Sequence, residues 1–127
     1  MFEISITTRF SAAHHLAGYK GPCANVHGHN WEVTVFVRGK SLDKLGMLVD
    51  FGVLKQSVNK VINELDHADL NTIPAFRRTN PTSENIAKYI HDRLAQKLKT
   101  GKRAIAKVVV AETPGNAVAY WDEKQDD

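Results

Sequence analysis

Residues 22–37 read PCANVHGHNWEVTVFV. From Trp31 the odd positions carry Trp31, Val33, Val35 and Val37, set against Asn30, Glu32, Thr34 and Arg38 on the even ones. Side chains on a strand alternate between faces, so this period predicts a strand with one buried face. It starts at His27 and ends where Gly39 and Ser41 break it. The same stretch sets the chain's only cysteine, Cys23, four residues ahead of a His-x-His pair. One thiol and two imidazoles at the mouth of an apolar strand admit two readings. All three bind one metal, or the thiol works beside a metal that histidines hold.

Upstream, the even positions Phe2, Ile4, Ile6, Thr8, Phe10 and Ala12 alternate with Glu3, Ser5, Thr7, Arg9 and Ser11, which predicts another half-buried strand. Gly18, Gly21 and Pro22 mark the loop between the two. Downstream, Asp50 is a good N-cap, and Phe51, Leu54, Val58, Val61, Ile62 and Leu65 recur at helical spacing. "NTIPAFRRTNP" reads as a loop. "TSENIAKYIHDRLAQKL" reads as a second helix with Ile86, Ile90, Leu94 and Leu98 on one stripe. Thr82, Ser83 and Glu84 suit its start, and Lys97, Lys99 and Gly101 suit its end. "AIAKVVVAE" is a third strand, "TPGN" a turn and "AVAYW" a short fourth strand; the tail "DEKQDD" is expected to fray.

The order ββααββ predicts an α+β fold, an antiparallel sheet with two helices on one face. A chain of 127 residues with 43% hydrophobic residues suits one domain, residues 1–127. The open edges of so small a sheet are usually covered or paired, so a homo-oligomer is expected. A single cysteine excludes an internal disulfide and fits a reducing compartment, the cytoplasm. MFEISITTRF shows no basic segment followed by an apolar one, so no signal peptide is expected, and no apolar run reaches membrane-spanning length. The net charge of +3 is interspersed along the chain, too mild for a nucleic-acid footprint yet compatible with a phosphorylated small molecule.

Parity sorts the histidines. His27 and His29 share the face of Trp31 and Val33, the face expected under the helices. On the first strand the apolar phase runs through Ala12 to His14, while His15 falls on the other side. Without a bulge, His14, His27 and His29 converge at the inner end of two neighbouring strands. Three imidazoles with an open fourth position make a catalytic zinc site, whereas structural sites are usually closed by four protein ligands. A lone histidine is more often a hydrogen-bonded core residue; the phased set of three favours a metal. Cys23 is then either a fourth ligand that closes the site or a free thiolate, stabilised by the cation and serving as base or nucleophile.

Two further features bear on chemistry. In "ELDHADLN" a carboxylate, Asp66, adjoins an imidazole, His67, and can orient it for proton transfer, although such pairs are also common on surfaces. Glu112 ends "VVVAE" on the buried phase of Val108 and Val110, where a carboxylate needs donors. A guanidine-like ring edge supplies two; an ion pair with Lys or Arg is the plainer alternative.

The set "FSAAHH", "CANVHGHN", "LDHADLN", "NPTSEN" and "VVVAET", in this order, resembles the 6-pyruvoyl-tetrahydropterin synthase family, and within it the 6-carboxy-tetrahydropterin synthase (QueD) branch of queuosine biosynthesis. The resemblance covers nearly the whole chain. It implies a T-fold whose trimers close a barrel of sheets and stack as homohexamers. It implies zinc on His14, His27 and His29, Cys23 as proton-accepting thiol, and His67 with Asp66 as relay. Glu112 matches the carboxylate that grips the pterin and counts with the relay; Thr82 and Ser83 match polar pterin contacts. The implied substrate is 7,8-dihydroneopterin triphosphate. The QueD branch eliminates triphosphate and cleaves off acetaldehyde, leaving a 6-carboxyl group; the pyruvoyl branch keeps the carbons. A third branch, linked to folate synthesis, replaces the cysteine by glutamate, which Cys23 argues against. His15 stands where relatives often carry Arg, outside the core motif. A zinc-stabilised binding module with Cys23 as fourth ligand is the competing class. A zinc hydrolase is disfavoured, because no glutamate sits beside the His-x-His pair to activate water.

Overall fold

Both period-two stretches are strands, and their faces fall as the alternation requires. In the computed structural model, which describes residues 1–98 and 103–125, β1 is Phe2–His14 and β2 is His27–Gly39. They pair antiparallel with one unbroken register: Phe10 faces Trp31, Ala12 faces His29 and His14 faces His27. β3 (Arg103–Thr113) and β4 (Asn116–Tyr120) complete a four-stranded sheet in the order β1-β2-β3-β4. The helices are α1 (Phe51–Leu65) and α2 (Ser83–Leu98). α1 packs on β1, and α2 packs on β3 and β4.

The core lies between the helices and the inner face of the sheet. Phe10, Trp31, Val33, Val35, Val37, Ile105, Val108 and Val110 meet Leu54, Val58, Val61, Leu65, Ile86, Ile90 and Leu94, all buried. Each such side chain contributes roughly 1.5–3 kcal/mol relative to exposure, so parity errors of one residue would cost the whole face. The helix starts are capped as the sequence requires. Asp50 accepts hydrogen bonds from the Gly52 and Val53 amides at 2.7 and 3.4 Å, and the Thr82 hydroxyl accepts from the Asn85 amide at 3.1 Å. Lys97 sits in the last turn of α2; Lys99 and Gly101, expected to help end the helix, lie outside the described residues. The tail does not simply fray. Glu123–Gln125 form a short 3-10 turn, while Asp126 and Asp127 lie outside the described residues.

Two local departures from regularity prepare the site. The first follows α1. Asp66 is its C-cap, and His67 takes a left-handed conformation with φ of 57°, a conformation that His tolerates better than most residues. This turns the chain to run along the free edge of β1. The Ser11 amide donates to Asp66 Oδ1 at 2.9 Å, the His67 amide to the Ser11 carbonyl at 2.5 Å and the Ala13 amide to the Ala68 carbonyl at 3.0 Å. The end of β1 that carries His14 therefore has neighbours on both sides. The second departure is a register shift between Ala111 and Thr113 in the β3–β4 pairing, which leaves Glu112 opposite no residue. Among the described residues no helix is long and apolar enough to cross a membrane.

Candidate metal centre and active site

The unbroken β1–β2 register delivers the three histidines to one place. The rings of His14 and His27 are 4.5 Å apart between centroids, those of His27 and His29 4.8 Å, and those of His14 and His29 5.3 Å, all edge-on. Trp31 forms the floor. It is fully buried, donates from Nε1 to the Ala12 carbonyl at 3.3 Å, and lies edge-on to His14 and His29 at 5.0 and 5.3 Å. A rigid indole behind two imidazoles limits how far either ring can tilt.

The tautomers are fixed from behind. His14 Nδ1 is 2.8 Å from the Pro81 carbonyl, and His27 Nδ1 is 2.7 Å from the Asn25 carbonyl. A carbonyl only accepts, so each Nδ1 carries the proton and each Nε2 keeps a lone pair directed into the cluster. His14 Nε2 and His29 Nε2 are buried without a hydrogen-bond partner. Burial lowers the pKa of His29, and the neighbouring His14 and His27 lower it further, against the opposing pull of Glu112. The neutral imidazole is the form that binds a metal.

Glu112 joins the cluster from β3. Its Oε1 lies 2.6 Å from His29 Nε2 and 3.5 Å from His14 Nε2, though neither ring nitrogen finds hydrogen-bond geometry there. One ligand atom from each of His14, His27, His29 and Glu112 falls within 4.8 Å of all the others. Lone pairs of imidazole and carboxylate crowded around one point, with two buried nitrogens left unpaired, fit a divalent cation of the zinc type. Among the described residues the ion-pair contacts of Glu112 are these histidines, not a Lys or Arg.

Cys23 is a half-buried free thiol on a 3-10 turn, Pro22–Ala24, between β1 and β2. It does not belong to the cluster of possible ligands. It does share a cleft of about 230 Å³ with His14, Leu16, Thr82, Ser83, Glu84 and Glu112. The sequence-predicted thiol, one predicted metal ligand (His14), the hydroxyl residues Thr82 and Ser83 at the start of α2 and the predicted carboxylate thus line one hollow.

Asp66 and His67 lie elsewhere. Asp66 Oδ2 is 3.0 Å from His67 Nδ1, so the carboxylate does orient the imidazole, whose side chain is 82% exposed. The Ser11 amide holds the Asp66 carboxyl below the usual range, a smaller desolvation effect opposes this, and His67 adds to the lowering. The pair therefore stays ionised on the carboxylate side through neutral pH. Asp66 lines a separate, larger hollow of about 690 Å³ with Arg9, Ser11, Asn30, Glu32, Ala111 and Thr113, on the outer phase of the strands. Neither Asp66 nor His67 lines the cleft that holds the thiol.

Sequence reasoning missed the backbone and amide groups that hold these side chains. The Pro81 and Asn25 carbonyls have no residue-type signal at all. Asn71 and Asn80 are visible as letters within "LDHADLN" and "NPTSEN", but their targets lie far away in sequence.

A family profile described as 6-pyruvoyl tetrahydropterin synthase matches residues 3–123. A putative 6-carboxy-5,6,7,8-tetrahydropterin synthase of Archaeoglobus fulgidus is 46% identical over 94 residues, 74% of this chain and 76% of that one. The 6-carboxy-5,6,7,8-tetrahydropterin synthase of Bacillus subtilis is 37% identical, covering 97% of this chain and 87% of its own. The solved structure of Caenorhabditis elegans 6-pyruvoyl tetrahydropterin synthase superposes with a TM-score of 0.86 at 31% identity, covering 96% of each chain. With its four-stranded antiparallel sheet, two helices on one face and this span of agreement, the chain belongs to the 6-pyruvoyl tetrahydropterin synthase family.

Proposed function

We propose that this chain is a zinc-dependent lyase that converts 7,8-dihydroneopterin triphosphate and water to 6-carboxy-5,6,7,8-tetrahydropterin, acetaldehyde and triphosphate, in queuosine biosynthesis in the cytoplasm. The observation that carries the reading is a thiol that shares a cleft with His14 and Glu112, two members of the convergent cluster, but stands outside their ligand set. His14, His27 and His29 would hold the zinc, which as a Lewis acid would polarise the side-chain oxygens of the substrate.

The chain's own residues divide the remaining work. The Pro81 and Asn25 carbonyls keep the Nδ1 protons of His14 and His27 in place, so those rings bind without exchanging protons. Cys23 takes the proton from the substrate side chain. Thr82 and Ser83, at the start of α2, offer hydroxyls to the pterin from the opposite wall of the cleft. Glu112 swings from His29 to receive the ring edge. His67, oriented by Asp66, returns a proton. Because neither Asp66 nor His67 lines the cleft of Cys23 in one chain, the relay is supplied by a neighbouring copy. The cleft of about 230 Å³ is also smaller than the ~300–1,000 Å³ usual for small-molecule sites. Both observations favour a homo-oligomer, trimer or hexamer, in which a second chain completes the pocket.

The pyruvoyl reaction is the second reading, favoured by the likeness to the Caenorhabditis elegans protein. The 46% and 37% identities to proteins named for the carboxy product weigh toward the first. Incubation with dihydroneopterin triphosphate, mass spectrometry of the pterin and a coupled acetaldehyde assay separate them. Acetaldehyde with a 6-carboxy product supports the proposal. Triphosphate release with all side-chain carbons retained establishes the pyruvoyl reaction instead. No turnover with zinc bound leaves the non-catalytic binding module.

Glu112→Gln tests the ring anchor. A carboxylate accepts two parallel hydrogen bonds from the pterin N–H and exocyclic amine, stronger than neutral pairs. The amide keeps the size but turns one acceptor into a donor facing a donor. Pterin affinity, read by fluorescence titration, is expected to fall ~10-fold or more, the loss of one charge-assisted pair. Zinc content should hold, since three imidazoles remain. Unchanged pterin affinity would make Glu112 a partner of the histidines alone.

A further inference from the structure

Beyond His14 the chain leaves the sheet, yet residues 15–17 keep the hydrogen-bonding pattern of a central strand. On one side, the Leu16 amide donates to the Cys23 carbonyl at 2.8 Å. On the other side, two side-chain amides take the place of a neighbouring strand. Asn71 Oδ1 accepts from the His15 amide at 2.9 Å while its Nδ2 donates to the His15 carbonyl at 3.1 Å. Asn80 does the same to Ala17, accepting from its amide and donating to its carbonyl, both at 3.0 Å. A carboxamide offers an acceptor and a donor side by side, the pair that a peptide group offers across a ladder. The main-chain groups of His15 and Ala17 thus face the asparagines, and the Leu16 amide faces Cys23.

We infer that Asn80, seconded by Asn71, is a positioning residue that sets Cys23 against the histidine cluster. The connection between β1 and β2 has no buried residue in its 3-10 turn to hold the cysteine by packing. What ties its two limbs together is the Leu16–Cys23 hydrogen bond, and Leu16 lies between the two residues that the asparagines hold. Asn80 also reaches the other wall of the cleft. Its carbonyl accepts from the Thr82 amide at 2.8 Å and from Asn85 Nδ2 at 2.8 Å, and the next carbonyl, of Pro81, fixes His14. One residue therefore couples the thiol wall, the hydroxyl wall of α2 and a metal ligand. Thr82, Ser83 and Cys23 keep their mutual spacing because the same asparagine holds both sides.

The consequence for chemistry rests on Cys23 acting as the proton acceptor proposed above; the consequence for the thiol's placement does not. Zinc-loaded full-length protein should be compared as parent, Asn80→Ala, Asn80→Asp and Val58→Ala. Asn80→Asp keeps the shape and the acceptor but has no N–H for the Ala17 carbonyl. Val58→Ala opens a cavity under α1 and supplies a loss of Tm unrelated to the cleft. The readouts are the pH profile of Cys23 alkylation by iodoacetamide, zinc content, and kcat and KM separately. Both Asn80 variants are expected to displace the alkylation profile and to lower kcat by roughly 10–100-fold, as a misplacement of about 1 Å does. KM and zinc content should stay near parental values, and Val58→Ala should show neither effect. If Asn80→Ala does not fold, Asn80→Asp decides. Parental alkylation and kcat in the Asn80 variants, or equal losses in Val58→Ala, overturn the inference. A parent that never turns over the pterin refutes the proposed function, while the alkylation profiles still judge the clamp.

Discussion

His27→Ala and His29→Ala protein is expected to emerge from purification nearly free of zinc, where the parent holds about one ion per chain. The size of the loss follows from what each ring contributes. Removing only an outer hydrogen-bond partner of a ligand typically costs ~10–100-fold in affinity, and here a ligand itself is lost from a set of three. His14→Ala should behave alike, with the added loss of the contact to the Pro81 carbonyl. Two controls sharpen the result. His15→Ala should keep its zinc, because Asn71 holds that residue by its backbone and its ring falls on the other phase. His91→Ala should keep it too: His91 is buried in α2 against Tyr120, with its own unpaired Nε2, away from the cluster. Metal analysis by plasma mass spectrometry, with circular dichroism to establish folding, reads the outcome. Zinc retained by His14→Ala and lost by His15→Ala would mean that the end of β1 is shifted by one residue in solution.

That control is informative because the whole site hangs on strand phase. The fold was legible wherever burial imposes a period: the alternation in β1 and β2 and the spacing in α1 and α2 are direct consequences of one apolar face. The histidine cluster was legible for the same reason, since an uninterrupted register carries parity from Phe10 and Trp31 to His14, His27 and His29. What stayed hidden is aperiodic. The buried phase of Glu112 follows from Val108 and Val110, but the shift in the β3–β4 pairing beside it leaves no mark in "VVVAET". The path of residues 66–69 along β1 consists of backbone hydrogen bonds, which leave little trace in side-chain types. Asn71 and Asn80 reach backbone groups 56 and 63 residues away, a distance at which local propensity carries no information. The separation of His67 from Cys23 needed three dimensions as well. The set of motifs suggested one constellation, and the Asp66–His67 pair lies outside the cleft that Cys23 lines.

Cys23→Ala is expected to keep its zinc and its melting temperature yet lose ~10²–10⁴-fold in turnover, the usual worth of a placed proton-transfer group. The geometry favours this over the alternative in which the thiolate closes the site. The possible ligand atoms gather from His14, His27, His29 and Glu112, and the cysteine stands outside that group while lining a cleft with His14 and Glu112. A half-buried thiol on a turn also contributes little packing, so its removal leaves no large cavity to confuse the result. Cys23→Ser separates shape from acidity: a hydroxyl fills the space but is a far weaker acid, so it should keep stability at the parental level without restoring rate. Alkylation supplies the independent reading, because a free thiol reacts while a metal-bound thiolate in a closed site resists. Should Cys23→Ala lose zinc together with activity, and the parent thiol resist iodoacetamide until the metal is chelated, the thiol would be a fourth ligand. The centre would then be structural, and the exposed His67 imidazole would be left as the relay group for proton abstraction.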